Sequence, residues 1–409
     1  MTARQTCGSC GSGHLDDVLR LPPTPLADVF PASAGAGGVT LWPLGLLRCG
    51  RCTLVQLSEI VPDDLLYGPD YGFYTGASPA AVAYWTQYAS DLIRRLSDPW
   101  AKGEPFVVEV ASNDGTLLHQ FADAGFRTLG VEPAAGPAAA ARSEHRLDVM
   151  VEPFTHQVGL DIAHAHGKAD VVIANNVVAH VQNPNNFVRG LRALVADDGV
   201  VSIEVQYLAD LVLGHQFDHV YHEHRSFFSI FSLRRLLEDA GLFVHDVQRV
   251  AGQGGSLRVL AGPTAIPPLP GMLRYGKTEY SVLSAAALAQ FQYRVDLVLE
   301  QARELIDSER AAGRRIVGYG ASAKSCTMLN ALNVGPDEVD AVVDLTPGKI
   351  GRFTPGTGIP ITAGIAQPAR ETTYLLLVSN YLGPVLARER AFFADGGRMI
   401  VPLPVPVVI

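Results

Sequence analysis

The 409-residue chain lacks three features that would place it in other classes of protein. It has no excess of positive charge, because 32 Lys and Arg stand against 41 Asp and Glu, and nucleic-acid binders need clustered cations to displace counterions. No run approaches the roughly 18 apolar residues of a membrane span. The start, MTARQTCGSC, lacks the apolar core of a signal peptide. We therefore expect a cytoplasmic protein with neither a nucleic-acid nor a membrane partner.

The composition is typical of a folded chain with more than one domain. Apolar residues make up 48% of the chain and charged residues 18%, which supplies material for buried cores and too little charge for a disordered polymer. At about 150 residues per domain, a chain of this length holds between two and three domains.

Cysteine is scarce, with five residues in all, and four of them form two Cys-x-x-Cys pairs. Cys7 and Cys10 are separated by 38 residues from Cys49 and Cys52. Each pair places two thiolates on a tight turn, and two facing turns supply the four tetrahedral ligands that Zn²⁺ prefers. The spacing predicts a structural zinc site, since four cysteines leave no position open for catalysis. Cys326 lies apart and is predicted to be a small core residue.

Two other interpretations of the cysteine pairs are a redox dithiol and a pair of disulfides. A redox pair normally begins a helix in a thioredoxin-like unit, whereas a proline-rich stretch follows the first pair here (Pro22, Pro23 and Pro25). Disulfides are rare in the cytoplasm, where thiols stay reduced. The sequence therefore favours zinc.

The middle of the chain alternates strand and helix patterns. Strands separated by helices form a parallel, doubly wound sheet that binds its ligand at the carboxyl ends of the strands. A helix is predicted over 116–124 and another over 232–240, and an antiparallel hairpin (242–250 and 256–260) closes the sheet. The apolar runs that predict the parallel strands cover residues 106–111, 127–131, 170–174 and 199–205.

Polar residues at the ends of these strands favour a nucleoside ligand. Glu132 follows the second strand, where a carboxylate can bind both hydroxyls of a ribose. The loop after the first strand has Gly115 but not the Gly-x-Gly-x-x-Gly pattern that lets a pyrophosphate approach the backbone. A cofactor without phosphate, such as S-adenosylmethionine (SAM), fits this loop better than NAD. The alternative is that Glu109 and Glu132 are ordinary carboxylates at strand ends.

Histidines cluster in the segment Phe217-Asp-His-Val-Tyr-His-Glu-His224-Arg-Ser-Phe-Phe. A metal site is one interpretation, but these histidines lack the spacing of a His-Glu-x-x-His helix. General acid–base chemistry is the other, because imidazole titrates near neutral pH. In an extended segment, His222 and His224 would share one face, and Tyr221 and Glu223 the opposite face.

The last third of the chain contains a second nucleotide-fold pattern. After a linker at 267–270 and a long helix predicted over 278–312, a strand ends in Gly318-Tyr-Gly-Ala-Ser-Ala-Lys324. Glycines before a helix N-terminus, together with one lysine, form an anion site for which phosphate is the obvious ligand. The spacing differs from that of a Walker A loop. Lys349 and Arg352 follow the next strand as a second phosphate contact or as solvated charges.

These motifs, in this order, resemble the SAM-dependent C-methyltransferases that act on dTDP-linked ketosugars in deoxysugar biosynthesis for natural products such as antibiotics. The resemblance covers essentially the whole chain. It implies an α/β protein with a small N-terminal zinc-binding domain (1–75), a central class I SAM methyltransferase domain of Rossmann-like fold (76–265) and a C-terminal Rossmann-like domain (266–409). The chain departs from the family at Ala111, where glycine is common.

The resemblance also implies the role of each group of residues. The catalytic set is His224 as the base, with Tyr221, Glu223 and His180 lining the pocket and Tyr74 reaching in from the zinc domain through the segment 71–76 as a lid. The cofactor set is Glu109, Ala111, Ser112, Asn113, Gly115, Glu132, Pro133, Asn175, Asn176 and Val177. The set that binds the dTDP-sugar is Tyr319, Gly320, Ser322, Ala323, Lys324, Lys349, Arg352, Asn380 and Tyr381.

The expected reaction is methylation of a carbon beside a ketone. A keto group at sugar carbon 4 acidifies carbons 3 and 5, and carbon 3 is the expected site. His224 would remove the proton, while Tyr221 or His180 would donate to the enolate oxygen. A nicotinamide-dependent sugar oxidoreductase or epimerase, with Asp344 on the ribose, is the main alternative, and an adaptor without catalysis is another. The sequence leaves the oligomeric state open.

Overall fold

The structure is a computed structural model, and it describes residues 2–34, 39–66, 74–96, 104–267, 270–365 and 368–409. Residues 71–73 of the predicted lid and two residues of the predicted linker lie outside these ranges. Within them, no helix combines the length and the apolar character that a membrane crossing requires.

The N-terminal part is built on a four-stranded antiparallel sheet of order β11-β4-β3-β2, and a two-stranded ribbon joins β1 to β5. The outer strand β11 (Ser226–Phe227) comes from the histidine segment and not from the N-terminal part. The other elements are β1 (Thr2–Ala3), β2 (Leu15–Thr24), β3 (Trp42–Cys49), β4 (Val55–Leu57), β5 (Glu59–Ile60) and the short helix α1 (Asp63–Leu66).

The central part is a seven-stranded sheet of order β12-β13-β10-β9-β6-β7-β8. Its strands are β6 (Phe106–Val110), β7 (Arg127–Val131), β8 (Val149–Met150), β9 (Ala169–Asn175), β10 (Val195–Gln206), β12 (Phe243–Val250) and β13 (Ser256–Gly262). Strand β13 runs antiparallel to both of its neighbours. The predicted parallel sheet and its closing hairpin are confirmed.

Helices cover both faces of this sheet, and local sequence explains where several of them begin. Asn183 caps α6 and Pro184 occupies its first turn, while Ser229 and Ser232 form a capping box at α8. The helices are α2 (Pro79–Leu96), α3 (Leu118–Asp123), α4 (Ala135–His145), α5 (His156–His166), α6 (Pro184–Leu194), α7 (Leu208–Leu213) and α8 (Ile230–Glu238).

The C-terminal part is a six-stranded sheet of order β16-β15-β14-β17-β18-β19, parallel except for the edge strand β19. The strands are β14 (Arg315–Tyr319), β15 (Ala341–Val343), β16 (Ile361–Thr362), β17 (Thr372–Leu376), β18 (Arg398–Val401) and β19 (Val407–Val408). Its helices are α10 (Ala285–Ala289), α11 (Phe291–Ala311), α12 (Ala323–Leu332), α13 (Leu382–Arg388) and α14 (Arg390–Ala394). The helix before them, α9 (Pro270–Val282), packs against α7, α8 and β12 of the central part.

The single helix expected over 278–312 is wrong. The chain forms α9, α10 and α11 instead, because the side chain of Ser284 accepts a hydrogen bond from the backbone N–H of Ala287 and starts a new helix there. The pattern of apolar residues continues through this break, so periodicity alone does not reveal it.

Candidate active site

The four cysteines of the two pairs meet at one point of the N-terminal part. Their sulfur atoms all lie within 4.8 Å of one another, and the nearest pairs, Cys7–Cys52 and Cys10–Cys49, are 3.5 Å apart. None is in a disulfide. Four converging thiols fit the tetrahedral coordination of structural zinc. Cys326 is buried against Ala27 and Ala323, as expected for a core residue.

The loop after β6 is a tight turn in which three residues adopt positive φ. Ala111, Asn113 and Gly115 have φ of 58°, 50° and 80°. A Cβ atom on Gly115 would lie 2.5 Å from Leu147 Cδ1 and 3.1 Å from Ala141 Cβ, so a larger residue would force these neighbours to shift. Ala111 fits in space but holds a left-handed conformation that costs an L-residue about 1–2 kcal/mol. Glycine at position 111 would avoid this strain.

Carboxylates surround this loop. Glu132 accepts hydrogen bonds from the backbone N–H groups of Asn113 (2.9 Å) and Ala134 (2.8 Å). Glu109 is buried, and its Oε2 atom has no hydrogen-bond partner among the described residues. Burial, followed by the charges of Glu132 and Asp114, raises the pKa of Glu109 well above its usual value. A buried carboxyl with an unpaired oxygen fits a cofactor that brings positive charge or hydrogen-bond donors.

The segment 74–77 closes over the same loop. The backbone N–H of Thr75 donates to Asn113 Oδ1 (2.9 Å) and that of Gly76 donates to Asp114 Oδ2 (2.7 Å). The Tyr74 hydroxyl lies against Gly136, so that a Cβ atom on that glycine would approach it to 2.7 Å. The contacts therefore place Tyr74 at the N-terminus of α4, beside the loop after β6.

The end of β9 leads from the cofactor loop to the histidines. The Asn175 side chain accepts a long hydrogen bond from the Tyr88 hydroxyl (3.5 Å), and its Nδ2 atom has no partner in the described ranges. Asn176 has φ of 53°, and its N–H donates to the Glu204 carbonyl (2.7 Å). The N–H of His180 then donates to the Val177 carbonyl (2.9 Å).

The sequence interpretation did not include a buried ion pair beside this strand end. Arg258 donates to Glu204 (3.0 Å), which also accepts from the Tyr84 hydroxyl (2.6 Å). This network attaches α2 to the sheet. The position of Glu204 at the end of a predicted strand was the available sequence signal.

The histidine segment forms a turn, and its predicted extended conformation is wrong. The backbone N–H of His224 donates to the Tyr221 carbonyl (3.0 Å), and the Tyr221 hydroxyl lies 2.8 Å from His224 Nε2. Tyr221 and His224 therefore share one side of the turn, contrary to the prediction. A reversing chain brings residues i and i+3 together, whereas an extended chain would separate them.

The contacts of His224 determine its tautomer. Its Nδ1 atom lies 2.8 Å from the His219 carbonyl oxygen, which can only accept, so Nδ1 carries the proton. In neutral imidazole, Nε2 is then a lone pair, and it accepts a hydrogen bond from Tyr221. Burial and the neighbouring His180 lower the pKa of His224 well below its usual value. His224 is thus held as a neutral, oriented base.

The remaining histidines of the cluster do not converge as metal ligands. His180 is edge-on to His224, with ring centroids 5.0 Å apart, and burial together with the charge of Arg225 lowers its pKa to about 4. His222 turns away and donates to the Pro43 carbonyl (3.2 Å). In the part of the chain that the structure describes, the four cysteines form the one group able to hold a metal.

Glu223 is a buried carboxyl on the other side of the turn. Its Oε2 atom lacks a hydrogen-bond partner within the described ranges. Burial, with the nearby charge of Asp28 adding to it, raises the pKa of Glu223 to about 8. Glu223 therefore carries its proton at neutral pH and can donate to a ligand.

All three parts of the chain contact this turn. Strand β11 pairs with β4 of the zinc-binding part. The buried guanidinium of Arg225 binds the Val61 carbonyl (2.7 Å) and Asp63 (2.5 Å) on that part. From the C-terminal part, the Thr327 hydroxyl donates to the Val220 carbonyl (3.0 Å). The position of Arg225 between His224 and the zinc-binding part follows from this packing and was absent from the sequence interpretation.

The C-terminal loop divides the predicted substrate residues into two groups. One group already has protein partners. Lys349 donates to the Ala321 carbonyl (2.7 Å), Arg352 to the Phe30 carbonyl (3.0 Å) and Tyr319 to Glu389 (2.7 Å). The Arg352 hydrogen bond joins the C-terminal part to the N-terminal part, whereas the other two lie within the C-terminal part.

The other group lies at the carboxyl ends of β14 and β17, together with Ser379. Ser322 and Ser379 follow β14 and β17, and the Oγ atoms of both are buried without a partner among the described residues. Lys324 donates to Asn380 Oδ1 (3.3 Å), and Tyr381 beside it is 41% exposed. Ala323 packs near Tyr221. Gly320 has φ of 94°, and a Cβ atom there would lie 2.7 Å from Val378 Cγ1.

Family models match three successive stretches of the chain. They describe a zinc binding domain (7–67), a methyltransferase domain (82–247) and a C-methyltransferase C-terminal domain (251–404). The order agrees with the three parts of the structure.

Comparison with curated proteins finds a relative of the same length. C-methyltransferase NovU of Streptomyces niveus is 34% identical over an alignment of 411 positions that covers 98% of this chain and 96% of that protein. A methyltransferase of Mycobacterium leprae (strain TN), ML2584, is 29% identical over 35% of this chain and 54% of its own. Among solved structures, magnesium protoporphyrin IX methyltransferase from Synechocystis PCC 6803 with bound SAM matches 45% of this chain and 82% of its own, with 15% identity and a TM-score of 0.35.

Proposed function

The chain belongs to the family of C-methyltransferases that includes NovU, and on that premise we propose that it methylates a dTDP-linked 4-keto-deoxysugar at carbon 3. Membership of this family favours a methyltransferase over the oxidoreductase, epimerase and adaptor alternatives. The observation that carries the proposal is the Tyr221–His224 pair, in which a neutral imidazole presents Nε2 to the Tyr221 hydroxyl at 2.8 Å.

The cofactor residues of the central part fit SAM. Glu132 would bind the ribose hydroxyls, and Glu109, Ser112 and Asn175 have unpaired polar atoms at the same strand ends. Asn113, Pro133 and Val177 shape the loops around them. When bound there, SAM supplies an electrophilic methyl group.

His224 removes the proton from the carbon beside the ketone. Its Nδ1–H remains on the His219 carbonyl (2.8 Å), which fixes the ring while Nε2 accepts the proton. Burial keeps His224 and His180 neutral, so both are ready to act without first losing a proton. Tyr221 can donate its hydroxyl proton to the developing oxyanion once the substrate displaces it from Nε2.

The C-terminal part is proposed to hold the nucleotide. Ser322, Ser379 and Tyr381 lie at the carboxyl ends of adjacent parallel strands, where α/β sheets bind their ligands. Gly320 lets the loop turn tightly beside Val378. The sugar then lies between this strand end and the histidine turn, because Ala323 of α12 packs near Tyr221.

The experiment measures transfer of labelled methyl from SAM to a dTDP-4-keto-deoxysugar and locates the new carbon–carbon bond by NMR. We expect the methyl group on carbon 3. His224→Asn should reduce turnover by about a thousandfold or more, since a positioned base contributes roughly 10²–10⁴-fold, and should leave SAM affinity unchanged. His156→Asn is the matched control, because this exposed histidine is the first residue of α5 and lies outside the histidine segment. Methylation on oxygen or nitrogen, or full turnover by His224→Asn, would contradict the proposal.

A further inference from the structure

Lys324 lies in the first turn of α12 and is 8% exposed. The sequence motif assigns it to phosphate. Its helix, however, packs along the histidine turn, because Ala323 packs near Tyr221 and Thr327 donates to the Val220 carbonyl at 3.0 Å. Ala323, which precedes Lys324, and Thr327, which lies one turn after it, thus pack along the histidine turn.

The ammonium of Lys324 shares its buried surroundings with the catalytic groups. It lies close enough to His219 and His224 for its charge to lower the pKa of both imidazoles. Asp218 and Asp28 face it as counterions, and they oppose the lowering of the Lys324 pKa that burial causes. A buried cation at this position attracts any negative charge that forms next to His224.

Lys324 has more N–H donors than hydrogen bonds to described residues. Its ammonium has three N–H donors, and its one hydrogen bond to a described residue is the 3.3 Å contact with Asn380 Oδ1. Asp218 Oδ1 likewise lacks a hydrogen-bond partner in the described part of the chain. The cluster is therefore incomplete as a structural ion pair and fits a polar ligand between these groups.

We propose that Lys324 is a catalytic residue that stabilises the enolate oxygen of the substrate, and this inference rests on the proposed function. When His224 Nε2 takes the proton, the C–H electron pair becomes the carbon–carbon double bond and the carbonyl π pair moves onto oxygen. Lys324 donates an N–H to that oxygen and balances its charge. The phosphates of the nucleotide are left to Ser322, Ser379 and the amides of the loop.

The test separates enolisation from nucleotide binding. The zinc-loaded full-length protein is incubated in D₂O with the dTDP-4-keto-deoxysugar and S-adenosylhomocysteine, and exchange of the carbon-bound proton is followed by NMR. dTDP affinity is measured separately by calorimetry. We expect Lys324→Met to slow exchange by about 100-fold and to change the dTDP dissociation constant by less than threefold, while Lys324→Arg, which keeps the charge, recovers at least tenfold of the lost rate.

Lys277→Met, at an exposed position on α9, is the matched control and should exchange at the wild-type rate. Thermal unfolding and SAM affinity of each variant show that it folds. If Lys324→Met does not fold, the proton exchange rate of Lys324→Arg tests the inference instead. An exchange rate of Lys324→Arg no faster than that of His224→Asn overturns the inference. Wild-type exchange in Lys324→Met also overturns it, and an accompanying loss of dTDP binding would assign Lys324 to phosphate. If the wild type itself does not exchange, the proposed function fails and the inference falls with it.

Discussion

The loop after β6 and the loop after β14 are built alike and carry opposite charge. Each follows a strand in the interior of a mainly parallel sheet, and each has its backbone N–H bound by a carboxylate from the next strand along the chain. In the first loop, Asn113 donates to Glu132 (2.9 Å), and in the second, Ala321 donates to Asp344 (2.7 Å).

The side chains around the two loops differ in the sign of their charge. Glu109, Glu132 and Asp114 surround the first loop, and their mutual repulsion raises the pKa of Glu109 further. Lys349 lies beside the second loop, and the N-terminus of α12 adds a partial positive charge.

This difference in charge fits the ligands that the proposed function assigns to the two loops. SAM carries a sulfonium and an ammonium, which suit the acidic loop, and a nucleoside diphosphate carries negative charge, which suits the basic one. Under the proposed function, one Rossmann-like framework serves two ligands, because the backbone turn is common to both loops and the surrounding charges differ. Four substitutions test this comparison.

The largest expected effect is the loss of SAM binding in Glu132→Ala. Two hydrogen bonds to a carboxylate contribute about 3 kcal/mol together, which corresponds to roughly a 100-fold weaker SAM affinity. Calorimetry should show this loss with dTDP affinity unchanged. Glu144→Ala, at an exposed position on α4, is the control. A parallel loss of dTDP binding would show that the two loops are not independent.

The converse substitution is Gly320→Ala. Its Cβ atom would lie 2.7 Å from Val378 Cγ1 at φ of 94°, so the second loop must shift. We expect dTDP affinity to fall by about tenfold or more, with SAM affinity retained. Gly313→Ala has a comparable φ of 80° with open space around it, and it controls for backbone strain alone. Equal losses of dTDP affinity in both variants would mean that the clash is irrelevant.

A smaller effect is the pH dependence of SAM affinity. Because the pKa of Glu109 is raised, this carboxyl loses its proton at a higher pH than usual, and the carboxylate attracts a cationic ligand better than the acid does. Calorimetric titrations should therefore show SAM affinity increasing, by at most tenfold per pH unit, as the pH rises through the pKa of Glu109. In Glu109→Gln this increase should become smaller.

The raised pKa of Glu109 also predicts how stability changes with pH in the absence of SAM. A carboxyl whose pKa is higher in the folded state binds more protons when folded, so the free energy of unfolding falls as pH rises through the folded pKa. Denaturation of Glu109→Gln should show a shallower fall than the wild type. If Glu109→Gln keeps the wild-type pH dependence of both SAM affinity and the free energy of unfolding, the charge of Glu109 does not affect the acidic loop.

The smallest effect is expected for Ala111→Gly. Relief of the left-handed strain at φ of 58° outweighs the extra unfolded-state entropy of glycine and should raise the free energy of unfolding by about 0.5–1 kcal/mol. Urea denaturation measures it. Ala139→Gly, at an exposed position inside α4, should instead lose about 1 kcal/mol. Destabilisation by both substitutions would mean that Ala111 is unstrained.

Much of the framework was predictable because its signals are local. The cysteine pairs predicted the sulfur cluster, and apolar runs predicted β6, β7, β9, β14 and the closing hairpin to within a few residues. The position of the acidic residue after β7 predicted a ribose ligand, and the structure places this residue, Glu132, against the loop after β6. The break between α9 and α11 was missed because the cap at Ser284 interrupts a continuing apolar pattern.

The catalytic arrangement was only partly predictable. The residue types of the histidine segment pointed to acid–base chemistry, but the faces assigned to Tyr221, His222 and His224 were wrong because the segment turns. Asp28 was missed because it comes from the N-terminal part, far in sequence from Glu223 and Lys324. The role of Arg225 was missed because its partners Val61 and Asp63 lie in that same distant part.

The sequence by itself determined the two cysteine pairs, the order of the three parts and the loops at the ends of β6 and β14, because each depends on residues close together in the chain. The tertiary structure alone decided the tautomer of His224, the protonation of the buried carboxyls and the position of Lys324 beside the histidine turn. Burial and the approach of distant charges set these properties, and both depend on how the three parts pack around residues 217–228.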